Sequence, residues 1–196
     1  MTKECWFTAY LYSSSTIITT SDTLQTVISS QVTSESNPMF DWGTVGTVGM
    51  YLCSDANLSG GKFRLGVWDS SGNPKAVSAQ FTCADLAQGP DPADVEEFLI
   101  SLTSTTTIAD GDCVGIIVNE LATGSGVVRQ GSWVKSSAIP YWRRNIFVEG
   151  SSGVTNTSKI LVVCLSTDFT PPSTASKIFS PPLFKSNVNI IPREFK

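Results

Sequence analysis

Hydrophobic residues recur with a period of two along nearly the whole chain, the spacing of a β-strand with one buried face. In "ECWFTAYLY" Cys5, Phe7, Ala9 and Leu11 alternate with Glu4, Trp6, Thr8 and Tyr10, and "TVGTVGMYLC" places Val48, Met50 and Leu52 on one side. The clearest local signal is "GKFRLGVWDSSGNPKAVSAQF". Phe63, Leu65 and Val67 alternate up to a turn rich in Asp, Ser, Gly, Asn and Pro, and Val77, Ala79 and Phe81 alternate down from it, which predicts a hairpin. "VEEFLISLT", "DCVGIIVNE", "SGVVRQGSWVK", "NIFVEG" and "KILVVCLS" read as further strands, separated by the turn-forming "TTTIADGD", "LATG", "SSAIPYW" and "SSGVTNTS". One segment, "SDTLQTVISSQV", fits a helix, since Leu24, Val27, Ile28 and Val32 share a helical face, although its β-branched residues oppose that assignment.

Eight to ten strands over residues 1–170, without long segments of period 3.6, predict an all-β, antiparallel two-sheet sandwich. A jelly roll fits that count, and another Greek-key topology is the alternative. The sequence contains no repeat of the kind that builds propellers or solenoids.

Composition narrows the functional classes. The 196 residues include no histidine, which removes the usual general base near neutral pH, the Ser-His and Cys-His nucleophile pairs and the commonest transition-metal ligand. Neither "GSGVV" nor "GTVGTVG" is a phosphate loop; both read as turn and bulge glycines. Glu96, Glu97, Glu120 and Glu149 could supply a glycosidase pair, but alternation puts the adjacent Glu96 and Glu97 on opposite faces of a strand. Asp91, Asp94, Asp110 and Asp112 are the candidate calcium oxygens, for which Asp-Gly turn chemistry is the simpler reading. The expectation is a protein with no catalytic residues, no metal and no cofactor.

Five widely spaced cysteines, Cys5, Cys53, Cys83, Cys113 and Cys164, lack zinc or redox spacing and read as buried thiols, with one disulfide across the sandwich as the alternative. The two glycosylation sequons, at Asn57 and Asn156, are what chance yields in a chain with 48 Ser and Thr residues. No apolar run reaches membrane-spanning length, and "MTKECWFTAYLYSSS" lacks the pattern of a signal peptide. Charged residues make up only 15% of the chain, so its surface is polar but largely uncharged.

Two stretches stand out as interaction surfaces. "RQGSWVKSSAIPYWRRN" gathers Trp133, Tyr141, Trp142, Arg143 and Arg144, with Arg129 and Lys135 nearby: a possible glycan or partner surface, with aromatic packing at a sheet edge as the alternative. A pI near 4.8 argues against direct nucleic-acid binding. Residues 171–196 form the second stretch, holding five of the ten prolines and eight large apolar residues, Ile178, Phe179, Leu183, Phe184, Val188, Ile190, Ile191 and Phe195. Such a segment is extended, and its apolar residues call for a docking surface. With four basic residues and one acidic it carries +3, whereas residues 1–170 carry nine basic and sixteen acidic side chains, or -7. The expected organisation is therefore a sandwich over 1–170 and an extended arm over 171–196. The arm either wraps its own domain or seats Phe179, Leu183, Phe184, Ile190, Ile191 and Phe195 on a neighbour.

A histidine-free, Ser/Thr-rich, low-charge sandwich with such an arm resembles the jelly-roll structural proteins of viruses and phages. The stretch "FRLGVWDSSGNPKAVSAQF" followed by "FLISLTSTTTIADGDCVGIIV" is also similar in cadence to sandwich modules of phage tails and carbohydrate-binding modules. The resemblance implies a non-enzymatic capsid, decoration or tail component located in the virion. Its partners would be copies of itself and other assembly subunits, with no membrane contact. The alternative is a carbohydrate-binding module using Trp133, Tyr141 or Trp142.

Overall fold

The computed structural model describes residues 4–6, 13–19, 25–32, 44–90, 94–134, 142–151, 154–156, 159–161 and 163–167, with backbone alone for those between 4 and 19, 131 and 144, and 154 and 161. Fourteen strands are described: β1 (Glu4–Trp6), β2 (Ser13–Thr19), β3 (Thr26–Val32), β4 (Val45–Ser54), β5 (Ser59–Trp68), β6 (Pro74–Val77), β7 (Ala87–Gln88), β8 (Glu96–Thr106), β9 (Cys113–Thr123), β10 (Val127–Val134), β11 (Trp142–Val148), β12 (Val154–Asn156), β13 (Lys159–Leu161) and β14 (Val163–Ser166).

They form two sheets packed face to face. In the first, β2 pairs with β10, β10 with β4, and β4 with β8; in the second the order is β3, β9, β5, β6. Successive strands of this set cross between the sheets (β2 to β3, β3 to β4, β4 to β5, β8 to β9, β9 to β10), so these eight strands make a jelly roll. β11 and β12 extend the second sheet beyond β3. β13 pairs with β10, while β14 pairs with β4 and with β1.

The main core is what alternation predicts. Val48, Met50 and Leu52 of β4 face Phe63, Leu65 and Val67 of β5 and Val114, Ile116 and Val118 of β9, all 1% exposed or less. Phe63, Phe81 and Phe98 stack in series, with centroids 5.8 and 4.6 Å apart, and the series ties β5 in one sheet to β8 in the other. One seam between the sheets closes at β6 and β8, where Ser78 bridges Leu102 and the Thr103 hydroxyl donates to the Val77 carbonyl at 2.8 Å.

Two local expectations change. Thr26–Val32 is a strand, not a helix: it lies between β9 and β11, with Ile28 and Val32 in the main core and Val27 buried on the opposite face. A strand covered on both faces loses its period-two signature, and here it imitates a helical stripe. Leu24 lies outside the described residues. In the returning arm of the hairpin, Ala76 and Ser78 are buried while Val77 is half-buried and Ala79 exposed. Val67 registers with Ala76, but Phe63 registers with Phe81, so one extra residue at 79–80 shifts the alternation and restores Phe81 to the core side.

A second apolar cluster occupies the other face of the second sheet: Val27, Trp68, Cys113, Ile117 and Phe147, flanked by Val77. Trp68 and Phe147 belong to β5 and β11, three strand spacings or about 14 Å apart across a flat sheet. Their ring centroids are nevertheless 6.4 Å apart in an edge-on contact. The Trp68 indole N–H donates to Glu149 Oε1 at 2.9 Å, and the Gly150 amide donates to the Gly72 carbonyl at 2.9 Å. Strand twist thus brings diagonal corners of the sheet together, and the turns 69–73 and 149–151 meet over the cluster.

Candidate functional site

The aromatic and cationic candidates come from strands of both sheets. Trp133 lies on β10 in the first sheet, in register with Ile160, whereas Trp142, Arg143 and Arg144 lie on β11 in the second, opposite Val32, Gln31 and Ser30. Tyr141 and the arm residues Phe179, Leu183, Phe184, Ile190, Ile191 and Phe195 lie outside the described residues.

Three of the candidate carboxylates are engaged structurally. Glu120 pairs with Lys62, and Glu149 accepts the Trp68 indole. Asp112 is buried, paired with Lys75 at 2.5 Å and accepting the Ala109 amide at 2.7 Å; Asp110 sits exposed in the adjoining turn. Asp91 lies outside the described residues, among which no group of three or more His, Cys, Asp or Glu could hold a metal ion. Cys53, Cys83, Cys113 and Cys164 are buried, none of them in a disulfide among the described residues, and burial pushes the first three above the usual thiol pKa, which suppresses the nucleophilic thiolate. Only the backbone of Cys5 is described.

Two carboxylates give opposite pH dependences. The hydrogen bond from Arg129 holds the Asp55 pKa below its ordinary value, so its stabilisation is present above the unfolded-state pKa and is lost as pH falls through the folded one. Burial raises the Asp112 pKa despite Lys75, so its contribution is present at low pH and is lost as pH rises through the folded pKa. Urea denaturation between pH 3 and 7 should show an Asp55→Asn deficit that grows with pH to about 1–2 kcal/mol. Over the same range the Asp112→Asn deficit should shrink.

The most distinctive surface of the body is the edge strand β8. Eleven residues long, it pairs with β4 through Glu96–Ser101 and again at Thr106, and it meets the β6 segment around Leu102 and Thr103. Among the described residues no other strand pairs with Glu96–Ser101. Phe98, Leu99 and Ile100 are consecutive and only half-buried, whereas the inward residues of the central strands are fully covered. Edge strands are ordinarily protected by lysine, proline, a bulge or short length. "EEFLISLTSTT" has no lysine, arginine or proline, and its only charges are Glu96 and Glu97, just beyond Asp94. Phe98, Leu99 and Ile100 were not among the sequence-based candidates. Their signal was a long β-prone run without interrupting charge, which by itself does not distinguish an edge from a centre. No family model, curated protein or solved structure matches the chain.

Proposed function

We propose that the chain is a non-enzymatic assembly protein, a structural component of a virus particle, whose jelly-roll bodies are tied together by the arm of residues 171–196. The observation that carries this reading is the arm's chemistry: eight large apolar side chains, five prolines and a charge of +3, joined to a body of charge -7. An extended segment that apolar gains stability by covering a surface, and opposite charge favours a surface of this protein. Viral capsid domains, lectins and cupins are familiar uses of the jelly roll, and the capsid role is the one an apolar, cationic arm serves.

Deleting residues 171–196 should convert a closed oligomer to monomer, read as mass by light scattering, with the circular dichroism of the sandwich retained. An oligomer of unchanged mass after deletion would refute the role of the arm.

A further inference from the structure

Resting on the assembly reading, we infer that β8 is the acceptor for the arm of a second copy, and that Val188–Ile191 adds to it as an antiparallel strand. Three observations converge on this edge. Its outer side over Glu96–Ser101 carries no other strand among the described residues. The side chains there are the half-covered apolar Phe98, Leu99 and Ile100, which an added strand would bury. The strand carries no lysine or proline, and its register shift against β4 lies beyond Ser101.

Charge selects both the edge and the direction. β2, at the opposite side of the same sheet, reads "SSSTIIT" and carries no charge, whereas β8 begins with Glu96 and Glu97 after Asp94. In the arm, "NVNIIPREFK", Arg193 and Lys196 follow the apolar run. Antiparallel addition brings these two cations to the acidic start of β8. Parallel addition would bring them to its threonine-rich end and leave only Lys185 beside the carboxylates. Val188 and Ile190 alternate on one side of the added strand, matching the alternation of Phe98 and Ile100. Pro192, which has no N–H to donate, ends the ladder. The reach is sufficient: residues 168–187 extend up to about 65 Å, which exceeds the roughly 40 Å breadth of a body this size.

The experiment uses the full chain. A photo-crosslinking phenylalanine analogue is placed at position 190, and isotope-labelled and unlabelled copies are mixed before irradiation. Cross-links from position 190 should map to residues 96–101 of the other copy. Leu99→Lys should raise the dissociation constant of the oligomer at least about tenfold, while circular dichroism verifies folding. Glu96→Lys and Arg193→Glu should each weaken assembly up to about fivefold, with the double variant recovering most of the loss. This charge pair keeps the test decisive if Leu99→Lys does not fold. Loss of assembly on arm deletion, combined with cross-links elsewhere and indifference to the β8 variants, would overturn the acceptor edge and leave the assembly reading standing. Cross-links within one copy would overturn exchange between copies, and a monomeric full chain would overturn both.

Discussion

Replacing Trp68 with alanine is expected to destabilise the protein by about 3–5 kcal/mol, measured by urea denaturation. Trp68 is fully buried, yet it lies outside the main core, in the cluster on the other face of the second sheet. Its removal would leave a cavity above Val27, Cys113 and Ile117, take the edge-on partner from Phe147 and strip the indole donor from Glu149. Trp68→Phe separates the contributions: it keeps an aromatic ring and loses the N–H, and should cost less than half as much. A loss below about 1 kcal/mol for the alanine variant would mean that the two turns do not close over a packed cluster.

Gly115→Ala is expected to be at least as damaging, at about 3 kcal/mol or more, from the addition of a single methyl group. Gly115 pairs with Ser29 in the middle of the second sheet, with apolar clusters above and below. A Cβ there would lie 2.1 Å from the Ile28 carbonyl oxygen and 2.6 Å from the Ser29 Cα. Both are backbone atoms, so the clash is relieved only by parting β3 from β9, which breaks ladder hydrogen bonds beneath buried side chains. Gly60→Ala is the control. Gly60 has φ of 65° and no atom within 4 Å of a built Cβ, so its cost is limited to the left-handed backbone, about 1–2 kcal/mol. If both variants unfold at the same urea concentration, β3 and β9 are not as closely apposed as described.

The fold was largely legible before any coordinates. "FRLGVWDSSGNP" displays both the alternation of Phe63, Leu65 and Val67 and the turn chemistry of residues 69–73, where Asp69 Oδ1 accepts the Ser71 and Asn73 amides. Such features are local, and a strand with one covered face reports that face directly. β3 was ambiguous because burial on both faces made Val27 and Ile28 adjacent apolar residues, and a sequence window does not register the strands that flank it. The proposed assembly surface was half legible. The apolar and cationic character of residues 171–196 is plain in their composition, but the acceptor proposed for them is not.

The β class, the position of most strands, the absence of imidazole chemistry and the opposition in charge between residues 171–196 and the rest are all readable from the amino acids alone. These follow from residue type and near-neighbour spacing. It took the folded chain to show that Trp133 and Trp142 stand in different sheets, that Trp68 reaches Phe147 across three strand spacings, and that β8 lies at an edge among the described residues. Each depends on pairing between residues far apart in the chain and on the accumulated twist of a whole sheet. No local pattern encodes whether the far side of a strand is paired or open.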